Sequence, residues 1–119
     1  ETEQKLEIYY QIYFSEQLQK KKARILRKLK QNRIQPGIYL IVFEQKEKST
    51  LEFFPSLLLK QKRFCLENHM VAGIASGYDE ALEMVRDMTD QVYQKTGGTD
   101  VCAYLRKEQQ AYKEGKKQV

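Results

Sequence analysis

The sequence predicts an α+β fold: a long N-terminal helix, a small antiparallel three-stranded sheet and two C-terminal helices packed on it. Three observations lead there. Apolar residues recur at three- and four-residue steps near the start and again after residue 78. Between those stretches lie short β-branched and aromatic runs, punctuated by Pro and Gly. The chain has 119 residues, close to the commonest single-domain size, so 1–119 is expected to form one domain around one core. Within it, 1–33 is the N-terminal helix, 38–75 the sheet region and 78–114 the helical region.

Residues 3–33 read as helix because Leu6, Tyr9, Tyr10, Tyr13, Phe14 and Leu18 share a helical stripe. The stripe resumes with Ile25, Leu26 and Leu29, with room for a break near Gln19–Lys22. A continuous helix of that length would span about 45 Å, so part of it should project or pack against a second copy. Pro36-Gly37 ends it. Ile38–Phe43 is β-branched, aromatic and apolar on both faces, the pattern of a central strand covered on two sides. A polar turn at Gln45–Thr50 leads to a second short strand, Leu51–Phe54, and a hairpin with the first is the simplest pairing. Leu57–Lys62 reads as a short irregular or helical piece. A third strand follows within Phe64–Ala75, centred on Met70–Ala75.

Ser76 is expected to cap the next helix, with Asp79 as its capping-box partner. That helix runs over Tyr78–Thr96 on a stripe of Ala81, Val85, Met88 and Val92, and Gly97-Gly98 stops it. Thr99 or Asp100 caps a last helix reaching about Glu114. Helix 78–96 and strand 38–43 should be the most buried elements.

Composition excludes several classes. Hydrophobic residues are 41% and charged residues 31%, against roughly 45–50% and about 25% for an average globular chain. With 8 Tyr and 5 Phe, the chain is too aromatic for a disordered one. Its longest apolar runs, Ile38–Phe43 and Leu57–Leu59, fall far short of the roughly 20 residues a membrane helix needs. No membrane partner is expected. Residue 1 is Glu rather than a translation start, and no secretory signal is visible. The two cysteines, Cys65 and Cys102, both lie in apolar segments, which suits buried free thiols in a reducing cytoplasm.

The net charge of +5 is unevenly spread. No acidic residue occurs between Glu16 and Glu44, while Lys20, Lys21, Lys22, Arg24, Arg27, Lys28, Lys30 and Arg33 do. Asp79, Glu80, Glu83, Asp87 and Asp90, against Arg86 alone, make an acidic block. The two blocks could face each other, and at least one pair between Arg24, Arg27 or Lys28 and Glu80, Glu83 or Asp87 is expected within about 4 Å.

Four features could carry chemistry. The basic run, with Lys20, Lys21, Arg24, Arg27, Lys28 and Arg33 as its polyanion-binding candidates, could neutralise phosphates without reading sequence. Its bland rival is a solvated helix face, and no zinc-finger, RNP-like or helix-turn-helix motif accompanies it. Gly73-Ile74-Ala75-Ser76-Gly77 lies between a strand and a helix, but lacks the Lys-Ser/Thr of a phosphate loop and reads as an ordinary junction. Cys65, Glu67 and His69 would share one face of a strand, yet with Cys102 they supply too few zinc ligands. Neither a catalytic nor a metal site is assigned, and no cofactor is expected. The Tyr-rich stripe Tyr9, Tyr10, Tyr13 and Phe14 fits an interface or an aromatic core face.

These readings give a leading expectation of a non-enzymatic cytoplasmic interaction module, a homodimer joined through its N-terminal aromatic helix. The alternative is a nucleic-acid-binding accessory protein using segment 20–33, with acidic protein surfaces as a further class of partner.

Overall fold

The structure is a computed structural model that describes residues 6–33, 35–60 and 66–117. Its first element corrects the expected long N-terminal helix. Glu7–Phe14 is a strand, β1, and Glu16–Lys21 is a 3₁₀ turn. Only Lys22–Lys30 is α-helical, as α1. The strand follows from composition, since Ile8, Tyr9, Tyr10, Ile12, Tyr13 and Phe14 are all good strand formers.

The helical stripe in β1 is produced by a bulge. Ile8 pairs with Val71 and Tyr13 with Gly73, so four residues of β1 stand opposite Ala72 alone. Such an irregularity shifts the inward–outward alternation. As a result Tyr9, Tyr10 and Tyr13 all pack on one face of the sheet, while Leu6, Ile8, Ile12 and Phe14 pack on the other. A spacing of one, then three, is what a helix stripe also shows.

The remaining strands are β2 (Ile38–Glu44), β3 (Glu52–Pro55) and β4 (His69–Ser76). The sheet has four strands in the order β1-β4-β2-β3. The expected hairpin is present, with β2 antiparallel to β3. β4 inserts between β1 and β2, antiparallel to β2 and parallel to β1. The sheet is therefore mixed rather than a three-stranded antiparallel one. A second 3₁₀ turn, Ser56–Lys60, follows β3.

Two helices follow β4: α2 (Tyr78–Thr96) and α3 (Val101–Lys117). The expected capping box is not formed. Gly77, at φ 92°, is the N-cap of α2, and Ser76 is the last residue of β4, its amide donating to Ser15 Oγ at 3.0 Å. Gly97 ends α2 in the left-handed conformation at φ 75°, as its stop signal predicts. Asp100 Oδ1 accepts the Ala103 amide at the start of α3.

Each face of the sheet is covered. On one side Met88, Val92, Val101, Cys102 and Leu105 of α2 and α3 meet Tyr9, Ile41, Phe43 and Met70. On the other, Leu18, Ile25, Leu29, Leu59 and Leu66 meet Ile12, Leu40, Val42, Val71 and Ile74. The double cover explains why β2 and β4 are apolar throughout.

Gln109 of α3, itself buried, closes part of the β1 edge. Its Oε1 accepts the Tyr10 amide at 2.8 Å, and its Nε2 donates to Ile8 O at 3.2 Å and to Glu7 Oε2 at 2.9 Å. These bonds serve backbone groups of β1, an edge strand with no further strand beside it among the described residues.

Candidate nucleic-acid interface

The basic segment spans the 3₁₀ turn, α1 and the residues just after it. Lys20, Lys21, Lys22, Arg24, Arg27, Lys30 and Arg33 are exposed and Lys28 is half-buried. Ile25 and Leu29 face the sheet, which turns the charged positions outward. Lys22 Nζ sits 5.3 Å from the centre of the Phe14 ring, a cation–π contact that holds one cation near the end of β1.

The expected pairing of basic and acidic blocks does not occur. The acidic residues lie on α2, which covers the opposite face of the sheet from α1. Among the described residues, ion pairs join Lys46 to Glu44 at 3.2 Å and Lys113 to Glu7 at 2.7 Å, and neither involves segment 20–33.

The helix dipole accounts for only part of the charge. Arg27, Lys28 and Lys30 occupy the last turn of α1, where cations are favoured. Lys22 and Arg24 stand in its first turn, which holds no acidic residue, and Lys20 and Lys21 end the 3₁₀ turn just before it. There a cation opposes the dipole by about 0.3–1 kcal/mol each. Solvation alone does not call for that placement.

Behind the basic face lies a groove. Lys21, Arg24 and Lys28 line it together with Leu18, Ile25, the turn Gln35-Pro36-Gly37, Ile38 and Ser76. Gln35 fixes the far wall: its Nε2 donates to Ile25 O at 3.3 Å, and its own carbonyl accepts the Ser56 hydroxyl at 2.9 Å. Gly37, at φ 80°, turns the chain into β2.

The groove opens beside Ser76, at the carboxyl end of β4. β1 leads to α1 on one face and its neighbour β4 leads to α2 on the other, so the chain parts to opposite faces at Ser15 and Ser76. In open parallel α/β sheets, crevices at such switch points bind ligands; here β1 and β4 are a parallel pair within a mixed sheet. A second concavity on the far side of the same strand ends is acidic, lined by Glu16, Glu80, Glu83 and Asp87 with Tyr13 and Gln91.

The chain matches no protein-family model, no curated protein and no solved structure with which it was compared.

The aromatic candidates are largely used inside the chain. Tyr9 and Phe14 are buried. Tyr10 stacks on Tyr112, with ring centres 4.4 Å apart, and its hydroxyl lies 3.4 Å from Glu108 Oε1. The Tyr13 hydroxyl donates to Gln91 Oε1 at 3.1 Å. Burial raises the Tyr9 hydroxyl well above its ordinary pKa, and the neighbouring Tyr10 and Tyr13 add to the rise.

Of the Cys–Glu–His grouping, Cys65 lies outside the described residues. His69 Nδ1 is 3.0 Å from Glu67 O at the start of β4. Cys102 is buried in α3, and burial pushes its thiol pKa up. No group of three or more His, Cys, Asp or Glu among the described residues could hold a metal ion. Among them, too, no helix is long and apolar enough to cross a membrane.

What sequence reasoning missed is the company of the cations. The turn holding Gln35 and Gly37, and Ser76 at the end of β4, come to the groove from two further segments. Only the three- and four-residue spacing of Lys21, Arg24 and Lys28 was open to inspection beforehand.

Proposed function

We propose that this chain is a non-enzymatic module that binds nucleic acid through its sugar–phosphate backbone, using the basic segment 20–33. The observation that carries it is the run of Lys20, Lys21, Lys22 and Arg24 across the junction of the 3₁₀ turn and α1, with no carboxylate among the described residues pairing to them. A polyanion would relieve that repulsion by counterion release and charge neutralisation. Lys and Arg on a helix face suit backbone contact and carry no base-reading geometry of their own, so binding should depend little on sequence. The acidic α2 lies on the other side of the sheet and would hold the polyanion to the basic flank.

Self-association through Tyr9, Tyr10, Tyr13 and Phe14 has less to stand on, because their rings are engaged within one chain.

Fluorescence anisotropy with a labelled duplex and a labelled single strand, titrated across salt, tests the proposal. Affinity should fall log-linearly with salt, with a slope of roughly −0.9 per phosphate contacted on duplex DNA and about −0.7 on a single strand. The variant Arg24→Glu/Arg27→Glu should abolish measurable binding. Absence of binding at low salt, or affinity indifferent to salt, overturns the reading.

A further inference from the structure

We infer that the groove between α1 and the Gln35–Gly37 turn is the seat of a backbone phosphate, and that Lys21, Arg24 and Lys28 are the residues that hold it. This deepens the nucleic-acid reading and rests on it. The basic segment offers eight cations, and exposure sets apart only Lys28, which is half-buried. The groove does. Lys21, Arg24 and Lys28 line it, whereas Lys20, Arg27 and Lys30 do not.

The chemistry of the lining fits a phosphodiester. Three cations stand along one wall at successive helical turns, so their charges converge on one stretch of surface. The guanidinium of Arg24 can give two parallel hydrogen bonds to phosphate oxygens, and the lysines act as flanking point charges. Ser76 adds a hydroxyl at the carboxyl end of β4, a position favoured for ligands in sheets that part in this way. The other wall is glycine at Gly37, and a Cβ built there would meet nothing within 4 Å, so backbone can be approached closely from that side. Among the described residues, no acidic one lines the groove.

The groove is also held open by the fold. The wall at residues 35–37 is tied to α1 by Gln35 and to the turn after β3 by Ser56, and both side chains are buried. Its volume is about 460 Å³, and it is partly open to solvent. An open trough suits a passing strand better than an enclosed small molecule.

The decisive comparison uses two variants of equal net charge on the same short segment. One carries Lys21→Gln, Arg24→Gln and Lys28→Gln; the other carries Lys20→Gln, Arg27→Gln and Lys30→Gln. Binding of labelled duplex and single-stranded DNA is measured for both across salt. Both variants should bind more weakly than wild type, since all six cations belong to the basic face, but the groove variant should bind at least about tenfold more weakly than the outer variant and lose about two to three from the salt slope. Equal losses for the two would overturn the groove while leaving nucleic-acid binding in place. Wild-type protein that binds neither strand at low salt overturns both, as does binding confined to vesicles of anionic lipid. Should a triple variant fail to fold by circular dichroism, Arg24→Gln/Lys28→Gln against Arg27→Gln/Lys30→Gln makes the same comparison.

Discussion

Gly73 shows how tightly the centre of the sheet is built. A Cβ at that position would lie 2.7 Å from Met84 Sδ, 3.2 Å from Ile41 Cδ1 and 3.4 Å from Tyr13 Cβ. The glycine lets α2 settle onto β4 beside β1. Gly73→Val should destabilise the protein by about 1–3 kcal/mol through overpacking. Met84 is the neighbour best able to give way, being unbranched and half-buried. Met84→Ala in that background should therefore recover part of the loss, although Met84→Ala alone is itself destabilising. Urea unfolding of the four members of this cycle measures the coupling. Additive losses would show that the two side chains do not compete for one space.

At the scale of elements, β1 depends on α3. β1 is an edge strand, and Gln109 partners its Tyr10 N–H and Ile8 C=O from a position 99 and 101 residues away in sequence. Glu7 belongs to the same junction. Burial pushes its pKa up, but the hydrogen bonds from Lys113 and Gln109 and the charge of Lys113 outweigh that, and the carboxyl ends below its ordinary range. Gln109→Leu keeps the bulk and removes both hydrogen-bonding functions. An unpartnered backbone group costs about 1–3 kcal/mol when fully buried, and these two are half-buried, so a loss of about 1–3 kcal/mol in all is expected in thermal or urea unfolding. Gln109→Glu should fall between, since it can still accept from Tyr10 but opposes Glu7 and cannot donate to Ile8. Indifference of stability to Gln109→Leu would mean that water serves the edge as well as the amide does.

For the molecule as a whole, the layer of α2 and α3 closes over a cluster of tyrosines whose ionisation folding opposes. Burial raises the pKa of Tyr9, Tyr10 and Tyr13, with the Glu108 carboxylate adding to the rise for Tyr10. The folded state thus holds these protons more tightly than the unfolded chain. Stability from this source is complete below the ordinary tyrosine value of about 10 and declines as pH climbs above it. The urea midpoint should fall on the alkaline side, and Tyr9→Phe should flatten that fall while keeping the ring in place. A midpoint as steep in Tyr9→Phe as in wild type would assign the alkaline loss to other groups. The same layering separates the charges, with basic α1 and acidic α2 on opposite sides of one sheet.

The sequence by itself determined the elements whose signals are local. Helix 78–96 could be read between its boundaries, because its apolar stripe is unbroken and Gly97 supplies the left-handed stop. The β2–β3 hairpin and the run of β4 were legible for the same reason: turn residues and β-branched runs act within a few positions. The polarity of charge was also there to count. Tertiary structure alone decided that Glu7–Phe14 is a strand. Its bulge copies a helical spacing, and what selects the strand is pairing with β4 and closure by Gln109, both distant in sequence. It decided the mixed sheet as well, because a parallel partner for β1 lies beyond an intervening helix and hairpin. The groove is of this kind too. Its cations come from one helical segment, but the wall and the serine that complete it are brought there by strand order, which no local periodicity encodes.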